Sequence, residues 1–250
     1  MIPFETFRQE RLSALCAEDG WLNLTDRVEI GQGCRSVGRA QGNDLQLNAG
    51  PDHLGHIDLA TNAFRPSGGD WQPFLASDGG NAQLRVGPLL LELHSDGGPA
   101  ALRVRDLTLA RGVEIDLFPY DPAWIIEAEW KEARAPIALE IEQKGGRTAR
   151  VDLTHSAVFS HLGTEVELLA THWKSGKPMF VIRDATSGVQ TYGASRFLIP
   201  DEVAKTKIVL DFNRLFNPPC VFTPYAICPL PPRQNILAFA ITAGEMTPTA

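Results

Sequence analysis

The stretch Ile137–Leu153, IALEIEQKGGRTARVDL, decides the fold class. It reads as two strands, Ile137–Gln143 and Arg147–Leu153, joined by Lys144-Gly145-Gly146. The paired glycines suit the tight, positive-φ turn of an antiparallel hairpin. Glu140 and Glu142 take alternate positions, as does the pair Glu165 and Glu167 further on; carboxylates so spaced mark the solvated face of an antiparallel sheet. A second hairpin follows the same logic: Val166–Trp173, the turn Lys174-Ser175-Gly176-Lys177, then Pro178–Asp184. Strands at Trp124–Trp130, Gln190–Tyr192 and Lys207–Phe212 complete this half of the chain.

Working outward, the earlier half carries shorter strand-like runs. These are Trp21–Leu24, Arg27–Ile30, Ser36–Gly38, Asp44–Leu47, His56–Leu59, Gln83–Val86, Leu89–His94 and Ala101–Leu107. The 22 glycines and 18 prolines of the 250-residue chain punctuate them, the spacing of a sandwich or barrel. Helical periodicity occurs only at the start. Phe4, Phe7, Leu12, Leu15 and Cys16 make an apolar stripe that predicts a helix over 4–18, with Gly20 as its left-handed terminator. The fold class is therefore all-β with one short N-terminal helix. Phe118-Pro119-Tyr120-Asp121-Pro122 is a natural break. It divides the chain into a helix (1–20), one β lobe (21–118) and a second β lobe (124–250) packed on the first.

Composition removes several functions. A net charge of −7 argues against nucleic acid and anionic membranes, both of which call for a basic face. No apolar run reaches the ~20 residues that span a bilayer, and the N-terminus lacks the plan of a signal peptide, so a cytoplasmic location is expected. Four cysteines are too few for a disulfide framework and fit a reducing compartment. No phosphate-cradling loop, dinucleotide fingerprint or nucleophile elbow is present, so no cofactor is implied. The six histidines have no metal-ligand spacing, and no metal site is expected.

The densest motif lies from Asp211 to Glu245: Asp211-Phe212-Asn213, Asn217-Pro218-Pro219-Cys220, Cys228-Pro229-Leu230-Pro231-Pro232, Asn235 and Gly244-Glu245. Upstream stand Arg183-Asp184-Ala185-Thr186-Ser187-Gly188, Thr191-Tyr192 and Arg196-Phe197-Leu198. Together these resemble the signature of the domain-of-unknown-function family 1684, a resemblance that implies no reaction. A weaker resemblance, carried by Gly38-Arg39, Asn43-Asp44 and His53, is to forkhead-associated domains. It implies a β-sandwich for the first lobe. In that family an arginine and a serine hold a phosphothreonine; here Arg39 is present, but Asp52 and Pro51 occupy the serine's place, and a carboxylate there repels phosphate.

Chemistry concentrates in the second lobe. Asp184, Thr186, Tyr192, Arg196, Asp211, Asn213 and Asn217 form a polar set around the signature loop, with Cys220 beside it. Asp211 and Asn213 share one face of their strand, and Tyr192 and Arg196 are close enough to serve one pocket. An arginine in a pocket favours a bidentate carboxylate or phosphate. The set reads equally as tethering: asparagines beside prolines tie off backbone groups, and Arg196 with an aspartate makes a buried ion pair. Cys220 and Cys228 read as a structural thiol pair or disulfide, or as a nucleophile that would need a base in space, with no histidine beyond His172 to supply it. The proline arm from Cys228 to Pro232 should be polyproline II, covering a sheet edge or docking on a protein partner. The functional expectation is a small polar or anionic ligand in the second lobe, with hydrolysis as an extension. The alternative is a non-catalytic interaction module using the first-lobe sandwich or the proline arm.

Overall fold

A computed structural model describes residues 2–76, 80–95, 98–109 and 112–248. The protein is all-β with one N-terminal helix, α1 (Phe4–Cys16). Two compact units divide the chain. The smaller comprises Leu12–Gly112 and Phe222–Ala226, and the larger Met1–Arg11, Val113–Val221 and Ile227–Ala250.

The strands of the smaller unit are β1 (Leu24–Glu29), β2 (Cys34–Gly38), β3 (Leu45–Gln46), β4 (Gly55–Asp58), β5 (Ala63–Pro66), β6 (Gln72–Pro73), β7 (Gln83–Val86), β8 (Leu89–His94) and β9 (Ala101–Asp106). They form one sheet of order β1-β9-β8-β7 and another of order β3-β2-β4-β5-β6, antiparallel except for the β2–β3 pair. Both sheets contribute to a single core: Leu89, Leu91, Leu102 and Val104 from one, Val37, Leu45, Ile57 and Phe64 from the other. Alternation aims every second side chain of a strand into that core. β1 carries a bulge between Leu24 and Asp26.

The larger unit is built on a long hairpin, β10 (Ile125–Gln143) and β11 (Arg147–His161). Its register pairs Gln143 with Arg147 across the predicted glycine turn, where Gly145 and Gly146 have φ of 100° and 79°. The expected strand Trp124–Trp130 and the hairpin's first strand are one continuous element. Residues 133–136 bulge out of register with β11, which places Pro136, lacking an N–H, where no ladder bond is needed. The remaining strands are β12 (Thr164–Leu169), β13 (His172–Lys174), β14 (Lys177–Ile182), β15 (Arg196–Leu198) and β16 (Lys207–Asp211). They give a sheet of order β12-β11-β10-β16 and a second of order β13-β14-β15. Ala157, Leu168, Phe180, Leu198, Leu210 and Ile241 are among the residues of its core.

Several local expectations change. The helix ends at Cys16 rather than residue 18. Gly20 is extended, with φ −69°; it is glycine because a Cβ would sit 2.6 Å from the Leu15 carbonyl oxygen. Trp21–Asn23 and Phe212–Arg214 are 3₁₀ turns. Gln190–Tyr192 lies in a turn, not a strand, where Gly188, Val189, Gln190 and Thr191 N–H groups close locally onto Thr186 or Thr191 carbonyls. The short strands β5, β6 and β15 carry no alternation long enough to announce them. Among the described residues, no helix is long and apolar enough to cross a membrane.

The proline arm covers a sheet edge. Lys144 N–H donates to the Cys228 carbonyl (2.9 Å) and Leu230 N–H to the Glu142 carbonyl (2.7 Å), an antiparallel bridge of Pro229 onto Gln143. Those two bonds satisfy backbone groups of β10 that β11 leaves open.

Candidate functional site

The structure sorts the polar set into clusters within the larger unit. The first is centred on Arg196, which is 1% exposed. Its Nη2 donates to Asp184 Oδ2 (2.8 Å) and to the Ile241 carbonyl (3.0 Å), and its Nη1 to the carbonyls of Ala243 and Glu245. Asp184 Oδ1 accepts from the Thr186 N–H (2.8 Å), the Thr186 hydroxyl (2.6 Å) and the Ile241 N–H (3.2 Å). Ion pair and backbone clamp thus hold alternate carbonyls of the C-terminal segment. Burial alone would favour neutral Arg196; the Asp184 charge opposes it, as a desolvated pair requires.

The second cluster is Asp211 with Asn213. Asp211 Oδ1 accepts from Asn213 N–H and Nδ2, and Oδ2 from Arg214 Nε. Asn213 also exchanges two hydrogen bonds with the backbone of Asp121. The crevice beside Asp211 and Arg214 has no volume that a water molecule could occupy. In the third cluster Asn217 donates from Nδ2 to the Met246 carbonyl, and its N–H meets Glu245 Oε2 at 2.6 Å; Glu245 Oε1 accepts from Arg11. Gly244 has φ 80°, and a Cβ there would lie 2.6 Å from the Leu215 carbonyl oxygen, which explains the glycine before Glu245. Asn235 clips three backbone groups, at Leu169 (both N–H and carbonyl) and Val181. In these clusters the side chains are spent mainly on backbone tethering and on three ion pairs, Arg196–Asp184, Arg214–Asp211 and Arg11–Glu245.

The remaining two candidates, Tyr192 and Cys220, meet each other. The Tyr192 hydroxyl lies 3.7 Å from Cys220 Sγ. Cys220 N–H donates to Cys228 Sγ at 3.3 Å. Both cysteines are free and buried. Sequence reasoning missed the fourth member, Lys144, at the tip of the β10–β11 hairpin. Its N–H holds the Cys228 carbonyl, its Nζ donates to the Cys220 carbonyl at 3.3 Å, and its ammonium lies 5.8 Å from the centre of the Tyr192 ring. A single lysine therefore fixes the backbone of both cysteines. Nothing in local sequence links residue 144 to residue 220; the only signal was a cation placed just before a glycine turn.

Electrostatics separates the two thiols. The Cys228 thiol donating to Cys220 sulfur, helped by the Tyr192 hydroxyl and the Lys144 charge, outweighs burial and brings Cys220 down to about 7. Cys228 moves the other way, because it gives its proton to that hydrogen bond and is itself desolvated. Lys144 is held above its ordinary range by Tyr192 and by the thiols. Burial and the Cys220 sulfur push Tyr192 up. The arrangement is a thiolate next to a retained thiol, with an exposed cation at hand.

Elsewhere, Arg39, the arginine of the forkhead-associated resemblance, donates from Nε and Nη2 to Asp52 Oδ1 (3.2 and 3.0 Å) on the surface. The smaller unit holds a cavity of about 640 Å³ lined by Leu24, Thr25, Asn48, Asp106, Thr223 and Tyr225 among others. Asn48 Nδ2 bridges Asp26 Oδ1 (2.8 Å) and the Tyr225 hydroxyl (3.0 Å) at its side. Among the described residues no three His, Cys, Asp or Glu side chains converge as a metal site needs.

Comparison with known proteins gives a family and no activity. Residues 113–246 match the family described as protein of unknown function DUF1684. That span lies within the larger unit but for Phe222–Ala226, and contains all four clusters except Arg11. The solution structure of an uncharacterized protein from Haloarcula marismortui is 31% identical, with 53% of this chain and 76% of that chain covered and a TM-score of 0.44. No curated protein matches the chain.

Proposed function

The chain belongs to the DUF1684 family of proteins of unknown function, and on that premise we propose that its larger unit is a thiol site for a small anionic ligand. Cys220 is the nucleophile toward an electrophilic centre in that ligand, and Lys144 meets its negative charge. The observation that carries this reading is the Tyr192 hydroxyl 3.7 Å from Cys220 Sγ, with Cys228 Sγ on the Cys220 N–H and the Lys144 ammonium on the Cys220 carbonyl. These neighbours keep the sulfur a thiolate near neutral pH without a histidine. The thiolate, not the thiol, attacks. Cys220 is 6% exposed, so only a small reagent passing Lys144 and Tyr192 reaches it.

In this reading the Arg196, Asp211 and Asn217 clusters position the site and do not touch the ligand. They hold the C-terminal segment and the turn from which Cys220 projects. Arg39, engaged by Asp52, and the proline arm, engaged by β10, lend no support to an interaction module.

Paired alkylating reagents test the reading. In protein whose exposed cysteines, Cys16 and Cys34, are replaced by serine, iodoacetate should label Cys220 with half-maximal rate near pH 7. An unperturbed thiol would need a pH nearer 8.5. Lys144→Gln should slow anionic iodoacetate several-fold more than neutral iodoacetamide. Equal slowing of the two reagents, or no labelling of Cys220 in the folded protein, would overturn the proposal.

A further inference from the structure

We propose that Cys220 and Cys228 form a dithiol redox couple, in which Cys220 attacks a small disulfide bearing negative charge and Cys228 resolves the product into an intramolecular disulfide. The inference rests on the thiol-site reading and names its co-substrate: a low-molecular-weight disulfide with carboxylates.

The geometry sets the Cys228 sulfur against the Cys220 residue, 3.3 Å from its backbone nitrogen, with both thiols free and buried. Pro218 and Pro219 precede Cys220, and Pro229 follows Cys228, so both cysteine backbones leave the site on restricted paths. Lys144 clamps the carbonyl of each. The segment between them cannot carry the sulfurs apart without breaking those clamps. The Cys220 N–H already points at Cys228 Sγ, the donor that a thiolate on Cys228 would use.

The steps balance. Cys220 thiolate attacks one sulfur of the small disulfide RSSR; a Cys220–S–SR bond forms, the RS–SR bond breaks and RS⁻ leaves. The negative charge on Cys220 is then gone. That charge, through the hydrogen bond from Cys228, is the largest influence keeping Cys228 protonated. Its removal frees the Cys228 proton, which passes to the departed RS⁻. Cys228 thiolate attacks Cys220 Sγ, forming the Cys220–Cys228 bond and expelling the second RS⁻, which takes a proton from water. In sum the protein dithiol loses two electrons and two protons, and RSSR becomes two RSH. The first step thus arms the second, and Lys144 favours reagents carrying carboxylates in the approach.

The test uses the reduced full-length chain with Cys16 and Cys34 replaced by serine, and 5,5′-dithiobis(2-nitrobenzoate) as the anionic probe. The expected result is release of two thionitrobenzoates per chain, a product lighter by two hydrogens, and one peptide linking Cys220 to Cys228. Cys228→Ser should instead stop at a mixed disulfide on Cys220, with one thionitrobenzoate released. Cationic cystamine should react more slowly, and Lys144→Gln should narrow the difference several-fold. Circular dichroism of each variant shows that it is folded. Two separate mixed disulfides in the parent protein, or a Cys228→Ser protein whose Cys220 forms no mixed disulfide, would overturn the couple. Should iodoacetate label Cys220 as expected while no linked peptide forms, the redox inference alone fails; should neither reagent reach Cys220, the thiol-site reading fails with it.

Discussion

Two buried polar clusters of the larger unit, one at Arg196 and one at Cys220, use the same signature loop in opposite ways. Around Arg196, both Nη atoms and both Asp184 oxygens have protein partners. Around Cys220 the partners are soft: a thiol, a phenol and a cation, each able to give way to an incoming atom. The first cluster, with its charges taken up and Arg196 Nε alone of that guanidinium left without a partner, stores stability. The second stores reactivity. Conspicuous residues are thus a poor guide to chemistry, since arginine and aspartate in a signature announce themselves whether they bind a ligand or a loop.

The comparison can be broken most forcefully at Arg196. Arg196→Ala should remove about 3–5 kcal/mol of stability, because it strands the Asp184 charge and three carbonyls in the core. Urea denaturation measures this, and Cys220 alkylation in the still-folded fraction should keep its pH dependence. A loss under about 1 kcal/mol would show that the cluster is not the clamp described. The second effect comes from the other cluster. Forming the Cys220–Cys228 disulfide closes a short loop and should stabilise the chain by about 2–3 kcal/mol on loop-entropy grounds. Melting of oxidised against reduced protein reads it directly. A lower melting temperature in the oxidised form would mean that the two sulfurs meet only with strain.

A third buried acid, in the smaller unit, sharpens the contrast. Asp26 is 1% exposed, and its Oδ2 has no hydrogen-bond partner while Oδ1 accepts two bonds from Asn48. Burial raises its carboxyl above the usual range, against the pull of the Asn48 bonds. A folded-state value above the unfolded 3.8 means that the native state holds the proton more tightly. Stability from this group is present below 3.8 and is lost as pH rises through the raised value. Asp26→Asn keeps the Oδ1 acceptor and removes the charge. It should therefore gain about 1 kcal/mol at neutral pH and abolish that slope, as guanidinium titrations across pH 4–7 would register. No gain at neutral pH would mean that Oδ2 is solvated.

How much was legible beforehand follows from which interactions are local. The hairpin Ile137–Leu153 was readable because alternation and the Gly145-Gly146 turn are written in adjacent residues. The strands β7 and β8 were found at their true limits for the same reason. β15 was not, since Arg196–Leu198 owes its extended form to pairing with β14, not to its own pattern. Tethering by Asn213, Asn217 and Asn235 was one of two open readings, because an asparagine in a proline-rich loop suggests a turn without naming its partner. That no histidine follows His172 was visible in sequence. That Cys228, Tyr192 and Lys144 gather at Cys220 was not, because their approach depends on a hairpin whose tip lies 76 residues before Cys220.

The clamp at Arg196 bears on the order in which the chain can acquire structure during synthesis. Its partners Ile241, Ala243 and Glu245 leave the ribosome 45, 47 and 49 residues after it, and Glu245 in turn receives Arg11 from the first helix. Over that interval the nascent chain carries a core arginine whose acceptor within this cluster is Asp184 alone. The larger unit cannot lock until Glu245 has emerged, while the sheets formed by residues 24–106 have all their strands long before. A ribosome stalled before Ile241 would present this chain half folded, with the unfinished half being the one that carries the thiols.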